Sequence, residues 1–414
     1  MTVWVLKHRT RLQSTIGIIQ HNYLIYMNFS LTDDQRTIRS AIEKICAPFD
    51  DAYWLKKDRE GGFPQDFHAA FARDGWLGIA MPQEYGGAGL GITEAALMMQ
   101  AIAESGAGFS GASALHMNIF GLHSVVVYGS DEQRKRFLPP MIEGRDKACF
   151  GVTEPNTGLN TAMLKTKAER HGDHYIVHGQ KIWTTTAQVT NKILLLARTT
   201  PVEQGKRPID GLTLFYTDMD RAHVEVREIE KMGRKAVDSN QVFIDGLRVP
   251  VEDRIGEEGK GFRYILDSLN PERVLVAAEA VGLGKAALTR AAKYARERIV
   301  FDRPIGQNQG IQHPLAERWM ELEAAELMTY KAAWLYDQKQ PCGAEANAAK
   351  YLGGEAGFRA CETAMLTHGG MGYAKEFHIE RYFREAMIPR LAPVSSQMIL
   401  CFIAEKVLGL PKSY

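Results

Sequence analysis

Residues 262–298 read FRYILDSLNPERVLVAAEAVGLGKAALTRAAKYARER. The stretch is rich in Ala, Leu, Glu and Arg and reads as one long helix. Within it, Gly282-Leu283-Gly284 followed by Ala287 has the outline of a dinucleotide fingerprint. No strand precedes it, so close helix packing is the better reading. Three similar stretches follow at 312–339, 343–367 and 376–409, punctuated by Gly306, Pro341-Cys342-Gly343 and Gly369-Gly370. Four long helices with short connections predict a bundle over 259–414.

Upstream of the bundle the composition is different. Short β-rich runs occur at Tyr175–Val177, Ile193–Ala197, Leu212–Tyr216, Val224–Val226 and Val242–Ile244. His171-Gly172-Asp173 and Asp245-Gly246 read as turns between them. They predict a small antiparallel barrel or sandwich over 148–258. Residues 28–147 read as a mainly helical domain. Thr32-Asp33-Asp34-Gln35 has the form of a capping box. Helices are expected at Glu94–Glu104 and Glu132–Glu143, and Gly86–Gly91 is a loop without the Lys-Ser/Thr of a phosphate loop. Residues 1–27 carry Lys7, Arg9 and Arg11 and no acid. An upstream extension before a second start at Met27 fits them better than an Arg-rich transit peptide.

Composition excludes several functions. Lys plus Arg is 50 against 49 acids, a net charge of +1, which argues against nucleic-acid binding through an overall field. No apolar run reaches about 18 residues, so no integral membrane segment is expected. The five cysteines are widely spread and lie in no zinc spacing, and HExxH and EF-hand patterns are missing. Reduced thiols and no metal site are expected.

Four longer segments carry the functional signal. They are Val152-Thr153-Glu154-Pro155-Asn156-Thr157-Gly158, Gly179-Gln180-Lys181-Ile182-Trp183-Thr184-Thr185, Arg296-Glu297-Arg298-Ile299-Val300-Phe301-Asp302-Arg303-Pro304-Ile305 and His368-Gly369-Gly370-Met371-Gly372-Tyr373. Pro82–Gly87 and Gly256–Phe262 accompany them. In order and spacing they resemble the acyl-CoA dehydrogenase family, from about Leu31 to Tyr414. The resemblance implies a mainly helical α+β fold: a helical domain, a central antiparallel β-barrel and a C-terminal four-helix bundle, assembled as a homotetramer. It also implies FAD between barrel and bundle, an acyl-CoA substrate, and an electron-transfer flavoprotein as acceptor.

Site residues follow from the same resemblance. Phe150, Val152 and Thr153 match positions lining the isoalloxazine, with Gly158 beside them. Trp183 matches a ring that shields the flavin, and Thr185 a hydroxyl near N5. Arg298 matches an arginine on the FAD pyrophosphate of a neighbouring subunit, where a fork of donors suits phosphate; Arg296 is its rival. Gln309, Gly370 and Ser395 match further FAD contacts. Leu159, Arg273, Ala392 and Pro393 fall on the substrate side.

The chain departs from the family in places. Leu159 and Asn160 stand where Ser and Asp are common, Leu366 where Gln is, and Asp302 where Gly is. The largest departure is Ala392-Pro393-Val394-Ser395, because Pro393 takes the place of the usual catalytic Glu and offers neither carboxylate nor N–H. The isovaleryl and long-chain branches place their base early in the bundle instead. The matching segment is Leu269-Asn270-Pro271-Glu272-Arg273, which makes Glu272 the candidate base. The competing reading is a first-turn Glu beside the cap Asn270 and Pro271, favoured by the macrodipole. Glu279 reads as structural.

The expected activity is therefore α,β-desaturation of an acyl-CoA thioester. The alternatives are a flavoenzyme of the same fold with desulfinase or oxidase chemistry, or a non-catalytic FAD- or acyl-CoA-binding protein. The small Ala392 and Pro393 predict a preference for branched or otherwise bulky short-to-medium acyl chains. The expected location is the cytoplasm, or the mitochondrial matrix if residues 1–27 are a transit peptide.

Overall fold

Thr32 opens the first helix as its sequence predicts. Its hydroxyl accepts from the Gln35 N–H, and the Gln35 side chain accepts from the Thr32 N–H. The computed structural model describes residues 29–202 and 207–413, so the extension 1–27 lies outside the described residues. The helical domain holds α1 (Asp33–Cys46), α2 (Asp51–Glu60), α3 (Gln65–Arg73), α4 (Ile92–Ile102), α5 (Gly108–Phe120), α6 (His123–Tyr128) and α7 (Asp131–Ile142). A second capping box, Ser130 with Gln133, starts α7.

The middle region is an eight-stranded sheet: β1 (Ala148–Gly151), β2 (Lys167–His171), β3 (His174–Thr185), β4 (Lys192–Arg198), β5 (Leu212–Asp218), β6 (Val224–Glu228), β7 (Ser239–Pro250) and β8 (Arg254–Ile255). Its order is β6-β7-β3-β2-β4-β5-β8, with β1 beside β4. Most pairings are antiparallel; β1 and β2 each pair parallel to β4. His171-Gly172-Asp173 turns β2 into β3 as expected. Asp245-Gly246 is not a turn. It lies inside β7, where the register against β3 shifts and Gly246 takes φ 72°. A bulge needs the same left-handed glycine that a hairpin turn does, so the two look alike in sequence.

The bundle begins with α8 (Gly261–Glu297). The short hairpin of β9 (Ile299–Val300) and β10 (Arg303–Pro304) leads to α9 (Gln309–Asp337) and then α10 (Gly343–His368). The glycines of α8 do pack closely: a Cβ on Gly282 would lie 2.3 Å from the Gln100 carbonyl oxygen, and one on Gly284 3.0 Å from the Gly357 Cα. The fourth stretch is three short helices rather than one: α11 (Ile379–Glu385), α12 (Ile388–Leu391) and α13 (Ser396–Phe402). Pro389 and Pro393 remove helical donors there, and Ala392 is extended. Among the described residues, only Ile379–Val407 is long and apolar enough to cross a membrane, and this break interrupts it.

Candidate active site

Glu272 sits well inside α8, which starts at Gly261. The first-turn reading of Glu272 therefore fails, and Asn270 and Pro271 are interior helix residues. Pro271 has no N–H for the carbonyl four residues earlier. Glu272 is 8% exposed, and its Oε2 finds no hydrogen-bond partner among the described residues. Burial raises its pKa to about 7, against the pull of His116, Arg273 and Lys350. Arg273 makes no ion pair with it; the guanidinium donates from Nη1 to Asn270 Oδ1 at 3.1 Å.

Glu279 lies two turns further along the same face. It is buried, and His116 Nδ1 of α5 approaches its Oε1 to 2.5 Å. Burial alone would lower the His116 pKa, but the Glu279 carboxylate outweighs it and the net shift is upward. Among the described residues, Glu279 Oε1 thus has a partner where Glu272 Oε2 has none.

The flavin-side residues gather where β1 ends against β3. The Ile182 N–H donates to the Thr153 carbonyl at 2.9 Å. The buried Lys181 Nζ donates to the Val152 carbonyl at 3.1 Å and to Glu154 Oε1 at 3.0 Å. These bonds bring Thr153 beside Trp183. Trp183 takes φ 59° and is 57% exposed, an unusual state for an indole within a strand. Thr185 faces Ser239 across β7. Phe150 packs against two apolar clusters, one shared by the helical domain and the bundle and one that also takes in the sheet. Gly158 and Leu159 are exposed in the loop beyond.

A second group gathers at the far end of the bundle. Arg298 caps α8, Gln309 starts α9, and Gly370 follows α10. Tyr294 stacks on His368 at 4.3 Å and ties the ends of α8 and α10 together. All three residues are exposed, and a Cβ on Gly370 would meet nothing. Neither Arg298 nor Arg296 has an ion-pair partner among the described residues. At 1.5 Å per residue, Arg298 lies about 39 Å along α8 from Glu272. Nearby, Phe301 is 93% exposed at the hairpin tip, and Asp302 takes φ 63°, which explains why glycine would suit that position.

An open indole wall at one place and an unpartnered basic end at another fit the flavin and pyrophosphate ends of FAD. Ala392 is exposed, Pro393 is half-buried, and Ser395 caps α13, its Oγ accepting from the Met398 N–H at 3.4 Å. Two buried residues near Glu272 were not singled out from the sequence: His116 and Lys350. The signal for Lys350 is a charge on the small-residue face that also carries Asn347, Gly353 and Gly354.

The N-terminal, middle and C-terminal domain models of acyl-CoA dehydrogenase match residues 32–145, 149–247 and 259–408. Acyl-CoA dehydrogenase FadE12 of Mycobacterium tuberculosis is 35% identical over 394 residues, covering 94% of this chain and 99% of its own. The glutaryl-coenzyme A dehydrogenase glutaryl-CoA complex superposes with TM-score 0.88 at 29% identity, over 94% of this chain and 98% of that one. Butyryl-CoA dehydrogenase from Megasphaera elsdenii gives 0.87 at 26% identity, over 92% and 100%.

Proposed function

The chain belongs to the acyl-CoA dehydrogenase family of oxidoreductases, whose cofactor is FAD, and from that premise we propose that it desaturates an acyl-CoA thioester with Glu272 as the base. The observation that carries this reading is the buried Glu272 carboxyl with an unpartnered Oε2 and a pKa raised to about 7. A carboxylate near its ordinary value is a weak base at neutral pH, whereas one near 7 is matched to the task. Burial disfavours the ionised form, so taking the α-proton relieves a cost the pocket already imposes.

FAD, when bound, supplies the acceptor for the hydride that leaves the β-carbon. Phe150 and Val152 would wall the ring, the Thr153 hydroxyl and N–H would offer donors to its edge, Trp183 would shield it from water and Thr185 would set a hydroxyl beside it. Arg298, Gln309 and Gly370 act on the cofactor of a second copy, which makes a homo-oligomer, a tetramer in this reading, part of the site. Arg273, Leu159, Ala392 and Pro393 border the acyl group. The family alone supports an electron-transfer flavoprotein as acceptor.

Anaerobic titration of the purified holoprotein with butyryl-, isovaleryl-, hexanoyl- and octanoyl-CoA tests the reading. The flavin should bleach, most readily with the branched ester, and the product should be the enoyl-CoA. A flavin that stays oxidised with every ester would leave a binding protein. Bleaching without an enoyl product would mean other chemistry.

A further inference from the structure

The Lys350 side chain is 0% exposed, and its ammonium donates to the Val394 carbonyl, next to Pro393. Lysine is seldom so buried unless it is paired, yet no carboxylate lies within ion-pair distance of it among the described residues. Helix register places it. A Cβ on Gly353 would lie 3.0 Å from the Ala277 carbonyl oxygen, and one on Gly357 2.5 Å from that of Ala280. Helices α8 and α10 therefore run side by side in the same direction. Three residues before Gly353, Lys350 comes level with Arg273 and Val274 and reaches the neighbourhood of Glu272.

We propose that Lys350 is a positioning residue for the reaction: its ammonium pins the 392–395 turn to α10 and sets a positive charge beside Glu272. The proposal rests on the reading of Glu272 as the base. In this chain the turn carries Pro393 and no carboxylate, so its contribution is shape, and Lys350 supplies its anchor. The added charge favours the ionised Glu272 and offsets part of its burial.

The electrostatic surroundings on both sides are defined. Glu272 is faced by His116 from α5, by Arg273 and Glu279 from its own helix, and by Lys350. Lys350 is faced by Arg273 and Glu272 from α8 and by Glu355 of its own helix. Burial, with Arg273 beside it, lowers the Lys350 pKa to about 8, and the Glu272 and Glu355 carboxylates pull the other way.

The test is the pH profile of single-turnover flavin reduction by isovaleryl-CoA and octanoyl-CoA, in wild type, Lys350→Gln and Lys350→Arg holoenzymes. Gln keeps a donor for Val394 and removes the charge. The rate should rise with pH as Glu272 ionises. In Lys350→Gln the midpoint should move up by about half a unit to one unit, while the plateau rate at high pH stays within a few-fold of wild type. Lys350→Arg should keep the wild-type midpoint. A Lys350→Gln profile that superimposes on wild type overturns the proposal. Should Lys350→Gln fail to hold flavin, Lys350→Arg decides: a midpoint moved from the wild-type value there overturns the proposal. Glu272→Gln run alongside separates the two failures: wild-type rates there sink the base itself, whereas slow Glu272→Gln with an unmoved Lys350→Gln midpoint sinks the Lys350 role only.

Discussion

Glu154, in the loop after β1, and Glu272 in the bundle are both buried glutamates, and their surroundings are opposite. Glu154 accepts from the backbone N–H groups of Lys165 at 2.7 Å and Thr166 at 2.8 Å, and from Lys181 Nζ at 3.0 Å. Burial pushes its pKa up, but the Lys181 charge and these donors outweigh it and hold it below the usual carboxylate range. Glu272 has cations nearby but no donor on Oε2, so burial wins. Burial alone therefore does not make a base. The satisfied carboxylate locks the segment after β1 to β3 and holds the wall on which Thr153 and Trp183 stand. The unsatisfied one keeps a lone pair for a proton.

Four substitutions can break or sharpen this contrast. Glu154→Gln should be the costliest, because it removes the carboxylate that offsets the burial of Lys181 and takes an acceptor from the Lys165 and Thr166 N–H pair. The expected loss is about 3–5 kcal/mol of stability by equilibrium denaturation. A loss below about 1 kcal/mol would remove the distinction between the two sites. Next, Arg298→Ala should weaken FAD binding by about 10–100-fold, since a charge-assisted bond contributes about 1.5–3 kcal/mol. Arg296→Ala should retain the cofactor. Equal retention in the two variants would show that the pyrophosphate arginine has been misassigned. The smallest effect on chemistry is expected at Glu279. Its oxygen is engaged by His116, so Glu279→Gln should slow flavin reduction by less than about tenfold while lowering stability. A larger kinetic loss would move the proton acceptor two turns along α8.

The three-part order of the fold was legible because each part has its own periodicity and composition, from the capping box at Thr32 to the long helix after Gly259. Local ambiguity produced the errors. The Asp245-Gly246 pair meets the demands of a bulge and a hairpin equally well. The competing start at Asn270-Pro271 arose because both residues are favoured at a helix N-terminus, whereas α8 runs through the proline as the long-helix reading of 262–298 has it. The last helix is apolar enough to read as one, but two prolines divide it. Glu272 could be named from the segment around it. Its missing hydrogen-bond partner could not, because partners come from other elements. The same holds for His116 and Lys350, whose significance lies in what α5 and α10 bring to α8.

The rate of flavin reduction in Glu272→Gln, followed in a single turnover with excess acyl-CoA across about pH 5.5 to 8.5, tests the base most directly. The near-isosteric amide should leave the fold, the FAD and acyl-CoA binding in place. Wild type should speed up as pH rises through about 7, the value at which Glu272 gives up its proton. The variant should be slower by at least about 10²–10⁴ and lose that rise. Reduction of the variant's flavin at the wild-type rate, with the same pH profile, would contradict the assignment of Glu272 as the base.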